Sequence, residues 1–567
     1  MPSLSCGDPG SGNLIVQGDS LEALKALLPY YAGQVRCAYI DPPYNTGNED
    51  WIYNDNVNSP LIREWLGKSV GKEGETLDRH DRWLCMMYPR LALLKNILRT
   101  DGVLVVHIDE HELANLTVLL DIIFGRQNLV GQIVWDKGNP KGDSEGIAYQ
   151  HETLLVYARS KKDFFESCEV QAGKPNAERM LRKAKLLFNR VGKKTAPDDL
   201  REAVKKYHLP EDILKQHLRR YELAHANADF QDWIGQQKDL KGGEKMYRYI
   251  DDRGRVYRLV SMAWPNKEKA PDEYFQEIAH PKTGSSCAKP ARGWRNPPET
   301  VKEMRQKGLI WFGSDETVQP QRIYFLDENL RENLSSILKF AGSDDDFLKK
   351  IEISFPTTKP HEFAQKILAV FADKDDLILD SFAGSGTTAH AVLGLNREDG
   401  GSRRFILVEV DPEIARSVTA QRVRRVAEGY TNAKKERTEA LGGGFRFCEL
   451  GDPLFDKTGR IRETVGFAEL SRHVYFTEMG EPMPRERVAK SPFLGDCRGV
   501  GIYLLYNGIL GDKSATGGNI LTRHVLAGLP RYDGQKIIYC AGCLIGKERL
   551  ETERIIVRQT PYEIKIS

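Results

Sequence analysis

Short apolar runs bounded by polar turns recur through the first 160 positions of the chain. They predict strands near residues 13–17, 35–41, 103–108, 131–136 and 153–158. Between the second and third, the hydrophobic period lengthens to that of a helix. Leu84, Met87, Leu91, Leu94 and Leu98 then mark one face of a helix from Trp83 to Leu98. After a long interval the alternation returns: the strand Leu377-Ile378-Leu379-Asp380, the helical run Ala389-His390-Ala391-Val392-Leu393, and the strand Phe405-Ile406-Leu407-Val408. Strands alternating with helices predict an α/β fold. Further strand-like runs, Gly501–Tyr506, Lys536–Tyr539 and Ile555–Arg558, lie beyond Gly442-Gly443-Gly444, which reads as a boundary.

Composition bounds this picture. A chain of 567 residues has room for about three domains. With 40% hydrophobic residues, a mean hydropathy of −0.47 and no apolar run near the ~20 residues of a membrane span, no membrane association is expected. The N-terminus lacks a basic-then-apolar leader, and the nine cysteines form no framework, so a cytoplasmic protein with reduced thiols is expected. Cys540 and Cys543 have CxxC spacing without a second pair, which predicts a turn and no metal. The net charge is +2, yet Lys174–Arg220 holds 14 Lys/Arg against 6 Asp/Glu. Leu181, Leu186, Leu187, Leu200, Val204, Ile213 and Leu214 make that stretch read as helical. It suits either a phosphate-binding surface or a solvated helix face. Arg416, Arg422, Arg424 and Arg425 form a second basic cluster on a predicted helix, which suits a solvent-facing helix side better than a phosphate-binding surface.

The chemistry concentrates in two places. At the end of the second strand stands Asp41-Pro42-Pro43-Tyr44. Two prolines fix φ and remove two backbone donors, which frees the Asp41 and Pro42 carbonyls as acceptors. The Asp41 carboxylate adds further acceptors and Tyr44 a flat ring, a combination suited to a planar base with an exocyclic amine. A strand ending in a Pro-Pro turn is the alternative. The second place is Asp380-Ser381-Phe382-Ala383-Gly384-Ser385-Gly386-Thr387-Thr388-Ala389, a Gly-x-Gly-x-x-Ala turn between strand and helix. Such turns take the phosphate or adenosine part of a nucleotide cofactor. Glu409 ends the next strand, near the spacing at which dinucleotide folds place a ribose-binding acid. Asn45–Ser59, with Trp51 and Tyr53, reads as a polar loop beside the base pocket.

Together these motifs resemble the beta-type DNA adenine-N6 methyltransferases, and in particular the modification subunits of type III restriction-modification systems. The order carries the resemblance, with Asp41–Tyr44 first, a long insert next, and Phe382-x-Gly384-x-Gly386 last. Gly18-Asp19-Ser20-Leu21, Asn45-Thr46-Gly47, Gln150–Ala158 and Phe355–Pro360 are similar to the flanking motifs of that family. The resemblance implies a Rossmann-like S-adenosylmethionine-dependent sheet with permuted motif order. It implies a catalytic half at 1–160, an insert with target-recognition region at 161–350, a cofactor half at 351–440 and a C-terminal α/β accessory domain at 441–567. Gly-Trp-Arg at 293–295 and Trp311-Phe312-Gly313 are similar to runs in that family's insert.

By the resemblance, Asp41, Pro42, Pro43 and Tyr44 are catalytic. Asp380, Phe382, Gly384, Ser385, Gly386 and Glu409 hold the cofactor, with Lys359 and Asp19 nearby. Double-stranded DNA, a second copy of the chain and a helicase-nuclease restriction subunit are the partners it implies. N4-cytosine methylation, a non-catalytic DNA-binding module and a nicotinamide oxidoreductase are competing readings. Asp41 at the head of the tetrapeptide favours adenine, since cytosine-acting relatives more often carry Ser there.

Overall fold

A computed structural model of the protein describes residues 2–46, 71–138, 147–196, 198–210, 212–356, 358–431, 435–456, 458–484, 491–506, 509 and 518–560. Most of the expected loop at 45–59, including Gly47, Trp51 and Tyr53, lies outside the described residues, as does Thr357. The chain divides into two compact units, Gln171–Leu334 and the remainder.

The larger unit is built on a ten-stranded sheet. Its strands are β1 (Cys6–Gly7), β2 (Leu14–Gln17), β3 (Val35–Ile40), β4 (Leu98–Ile108), β5 (Leu129–Asp136), β6 (His151–Ala158), β7 (Ile337–Lys339), β8 (Leu377–Asp380), β9 (Arg404–Glu409) and β10 (Gly444–Glu449). Across the sheet they run β1-β10-β2-β9-β8-β3-β4-β6-β5-β7. The central run from β10 to β4 is parallel, and β6 is antiparallel to both its neighbours. Two strands lie outside the ranges expected for the methyltransferase halves. β7 comes from the end of the 161–350 stretch, and β10 follows the glycine boundary at 442–444.

Helices α1 (Ser20–Tyr31), α2 (Gly71–Ile97), α3 (Leu113–Phe124), α4 (His361–Phe371), α5 (Thr387–Asp399) and α6 (Ala420–Glu428) connect the strands. Parallel strands covered on both faces carry continuous apolar runs, and every residue of β3 is buried. Val16, Ala38, Ile40, Leu104, Val106 and Ile406 join Leu24 and Leu28 of α1 and Met87, Leu91 and Leu94 of α2 in one core. Each fully buried aliphatic side chain contributes about 1.5–3 kcal/mol.

For the site, the decisive feature is the adjacency of β3 and β8. They are neighbours in the sheet, with Ile378 opposite Cys37 and Leu379 opposite Ala38, although some 340 positions separate them in sequence. The two motif-bearing turns therefore leave adjacent strands at the same sheet edge. C-terminal to the sheet, α7 (Phe467–Met479) packs on a four-stranded sheet of β11 (Phe493–Cys497), β12 (Val500–Leu504), β13 (Gln535–Cys540) and β14 (Ile555–Gln559). Cys540 ends β13, and neither it nor Cys543 is part of a disulfide.

The unit at Gln171–Leu334 has its own core. Met180, Ala184 and Leu187 of a helix at Ala177–Phe188 pack against Ala226, Phe230 and Ile234 of a second helix. Strands Tyr249–Ile250, Val256–Ser261, Ile310–Trp311 and Gln321–Phe325 form an antiparallel sheet. Trp294 is fully buried and donates Nε1–H to the Gln276 carbonyl at 2.9 Å, so this tryptophan is a core residue. No helix among the described residues is long and apolar enough to cross a membrane.

Candidate active site

Ile40 ends β3, and the two prolines prevent further ladder pairing, so Asp41–Tyr44 turns outward at the sheet edge. Tyr44 is held by its hydroxyl, which donates to Asp41 Oδ1 at 2.7 Å and lies 3.1 Å from Glu152 Oε2. Lys359 Nζ donates to the same hydroxyl at 2.9 Å, and sits 3.1 Å from Asp41 Oδ2 and 3.2 Å from Glu152 Oε2. Lys137 forms a second ion pair with Glu152. Two carboxylates and the Lys359 ammonium thus surround one phenol.

Burial, with the Asp41 and Glu152 charges behind it, raises the Tyr44 phenol well above its usual range, so it stays a donor. Burial works against the charge on Lys359, but Asp41 and Glu152 outweigh it and hold the ammonium protonated. Burial likewise opposes ionisation of Glu152. His107, Lys359 and Lys137 reverse that and keep the carboxyl well below the usual range.

The rest of the turn is anchored from outside. Trp83 Nε1–H donates to the Pro43 carbonyl at 2.7 Å. Asn45 adopts φ +60°, a left-handed conformation asparagine tolerates better than most residues. Its side chain bonds the buried Glu112, which also meets His80 Nδ1 at 2.5 Å and Asn115 Nδ2 at 2.7 Å. With the Pro43 carbonyl occupied, Asp41 and Pro42 are left to present acceptors.

The glycine turn follows β8. Asp380 accepts from the Phe382 N–H at 3.0 Å and from Thr388 Oγ1 at 2.5 Å, and burial pushes its carboxyl up to about 7. Gly384 and Gly386 take φ values of +47° and +79°, which residues with a Cβ rarely adopt. Glu409 lies beneath the turn, where its carboxylate accepts the Gly384 N–H at 2.8 Å and the Asp411 N–H at 2.9 Å. Behind the turn, the buried Arg422 donates to Ser385 Oγ at 3.0 Å and Thr387 Oγ1 at 3.1 Å, and is paired with Asp344.

Both turns line one cavity of about 240 Å³. Of the residues singled out from sequence, Asp41, Pro42, Pro43, Tyr44 and Lys359 form one side, and Asp380, Phe382, Gly384 and Ser385 the other. Gly386 and Glu409 stand behind that wall. Asp19 is not part of the lining: it caps α1 by accepting the Leu21 N–H at 2.8 Å, and it pairs with Arg90 at 2.8 Å. Arg422 is fully buried, correcting its assignment to a solvent-facing helix side. Arg416 and Arg424 are also engaged, with Glu449 and with the Ser3 and Ser5 carbonyls.

Sequence reasoning missed Glu152, Lys137 and Arg422 as parts of the site. A signal for Glu152 existed. It is an acid opening an otherwise apolar strand, and β6 starts at the edge where β4 ends, with Thr153 opposite Ile108.

Fold and site together define a Rossmann-like α/β methyltransferase sheet, with an acceptor turn and a cofactor-type glycine turn on neighbouring strands. A family model described as DNA methylase matches residues 35–421, and the chain belongs to that family. It is similar to the Mod subunit of the type III restriction-modification enzyme EcoP15I from Escherichia coli, at 30% identity over 71% of this chain and 59% of the relative. The EcoPI Mod subunit of Escherichia phage P1 is 29% identical over 82% of this chain and 69% of the relative. The type II methyltransferase M.KpnI of Klebsiella pneumoniae is 28% identical over 78% of this chain and 94% of the relative. The chain spans 59% and 54% of the length of two of the type III Mod relatives it matches.

Proposed function

We propose that the chain transfers the methyl group of S-adenosylmethionine to the N6 amine of an adenine flipped out of double-stranded DNA, at a specific site. The observation that carries this reading is the single cavity shared by the Asp41–Tyr44 turn and the glycine turn. The lining chemistry fits the cofactor. The Asp380 carboxylate faces a space that must receive a sulfonium, and the glycines allow close backbone approach. Asp380, Phe382, Gly384 and Ser385 would hold it, with Gly386 and Glu409 shaping the turn. When bound, the cofactor supplies an already activated methyl group.

The chain's own residues do the rest. Adenine's N6 lone pair is delocalised into the ring and is a poor nucleophile. The free acceptor sites of Asp41 and the Pro42 carbonyl take its two N–H bonds, favour tetrahedral geometry and stabilise the positive charge that develops on nitrogen. Tyr44, pinned through its hydroxyl by Asp41, Glu152 and Lys359, supplies a fixed aromatic face for the base. Lys359 remains charged and holds both carboxylates in place. The amine is unreachable inside a duplex, so the base must leave the stack.

The unit at Gln171–Leu334 is proposed to carry target recognition, and the chain to act as the modification subunit of a type III-like system, paired with a second copy and a helicase-nuclease subunit. The EcoP15I and EcoPI relatives are named as Mod subunits of type III restriction-modification enzymes, which supports the modification-subunit reading. Modification-sensitive sequencing of DNA from cells expressing this chain alone tests it. N6-methyladenine at one recurring sequence is expected, and unmodified DNA would refute it.

Asp380 makes the cofactor interaction pH-dependent. Its carboxyl, raised by burial to about 7, is protonated in acid and anionic in base. Cofactor affinity is therefore expected to rise as pH increases through about 7, and Asp380→Asn to flatten that rise in a calorimetric titration. Stability moves the other way. Because the folded value exceeds the unfolded one of about 3.9, this group's contribution is complete below the latter and is lost as pH rises through about 7.

A further inference from the structure

At the opposite edge of the sheet lies a second cavity, of about 530 Å³. Its walls come from the Gly10-Ser11-Gly12 turn, Tyr30 and Tyr31 at the end of α1, and residues of β9, β10 and α7. Those last three elements contribute Arg404, Arg446 and Arg472, and among the described residues no aspartate or glutamate lines the space. β9 starts at Arg404 and ends at Glu409, so roughly 16 Å of strand separates this cavity from the glycine turn.

Arg36, Arg90, Arg99, Arg403 and Arg416 each meet a carboxylate within 3 Å. Among the described residues, Arg404, Arg446 and Arg472 form no ion pair. Arg472 lies 5.2 Å from the Tyr30 ring centroid, which orients the guanidinium, and it also lines a neighbouring cavity with Glu22, Asp452, Asp456 and Glu469. Their supports are fixed. Asn13 ties β10 to β9 by donating to the Gly444 carbonyl at 2.7 Å and accepting the Phe405 N–H at 2.9 Å. Ser11 Oγ donates to the same carbonyl at 3.1 Å. Gly12, at φ +75°, lets Arg404 lie along the turn; a Cβ there would come within 2.9 Å of Arg404 Cδ.

We infer that this cavity binds a nucleoside polyphosphate, with Arg404, Arg446 and Arg472 on the phosphates and the tyrosine pair beside the base. Three like charges around one space repel one another, and a multiply charged phosphate chain neutralises all three through forked, charge-assisted hydrogen bonds. The volume is that of a small-molecule site. Tyr30 is 43% exposed and offers a free ring surface. The site is remote from the proposed methyl-transfer cavity, so the inference stands or falls independently of that reading.

The test is titration of the full-length protein with guanosine triphosphate, and separately with inorganic tripolyphosphate, at saturating S-adenosylhomocysteine. Saturation closes the adenosine-type site to either probe. Both probes are expected to bind, and tripolyphosphate to displace the nucleotide. Arg446 is exposed, so Arg446→Glu leaves the fold intact; it is expected to weaken both probes at least about tenfold, with Arg446→Lys weakening them less. S-adenosylhomocysteine affinity in these variants should match that of the wild type. Absence of binding in the wild type overturns the inference, as does binding unchanged in both Arg446→Glu and Arg472→Gln. A loss of duplex-DNA affinity in Arg446→Glu with no nucleotide binding also overturns it, because the arginines would then belong to a DNA surface.

Discussion

Replacing Asp41 by alanine is expected to slow methyl transfer about a thousandfold, while cofactor affinity changes by no more than about twofold. The carboxylate does two things at once. In the proposed reaction it presents acceptors to the target amine, and it accepts the Tyr44 hydroxyl at 2.7 Å, which sets the ring proposed to face the base. Both are lost in the variant, and both matter more in the transition state than in the ground state. Lys359 is not orphaned by the change, because Glu152 remains 3.2 Å away, so the fold should survive. Single-turnover kinetics with a cofactor-binding titration separate the effects. A matching fall in cofactor affinity would mean that Asp41 acts in binding and not in transfer.

The largest effect on stability is expected at Arg422, far from any base. Arg422→Leu should cost about 3–5 kcal/mol, because it removes one partner of a buried ion pair and strands Asp344. Ser385 and Thr387 would also lose their donor, which loosens the glycine turn. His361, whose Nδ1 lies 2.9 Å from Asp344, offers only partial compensation. Urea unfolding reads the loss as a lower midpoint at unchanged slope. Asp344→Asn in the same background should recover part of it, since the stranded charge is then gone; an additive loss would contradict the pairing.

Arg422 also marks the limit of what could be read from sequence. The Asp41–Tyr44 and glycine turns were legible because their chemistry is local: prolines that remove donors, glycines at positive φ, an acid at a strand end. The strands were legible because each parallel strand is covered on both faces and so spells a continuous apolar run. Arg422 sits near Arg416, Arg424 and Arg425 in one basic run, and nothing local says that it alone turns inward. Its partner Asp344 is 78 positions away. Glu152 and Tyr44 are 108 apart, and Lys359 lies 315 positions beyond the phenol it holds. Such pairings follow from strand order, and the neighbours of β3 and β8 cannot be read from either strand alone. Asp19, which the family likeness sets near the cofactor, caps helix α1.

The central claim is that Asp41 and the glycine turn form one site that methylates the N6 amine of adenine. Incubating the protein with S-adenosylmethionine carrying a deuterated methyl group and duplex DNA, then digesting the DNA to nucleosides for mass spectrometry, tests it most directly. Deuteromethyl label is expected on the N6 position of deoxyadenosine, and none with Asp41→Ala. Label on the N4 position of deoxycytidine, or equal adenine labelling by the variant, would contradict it.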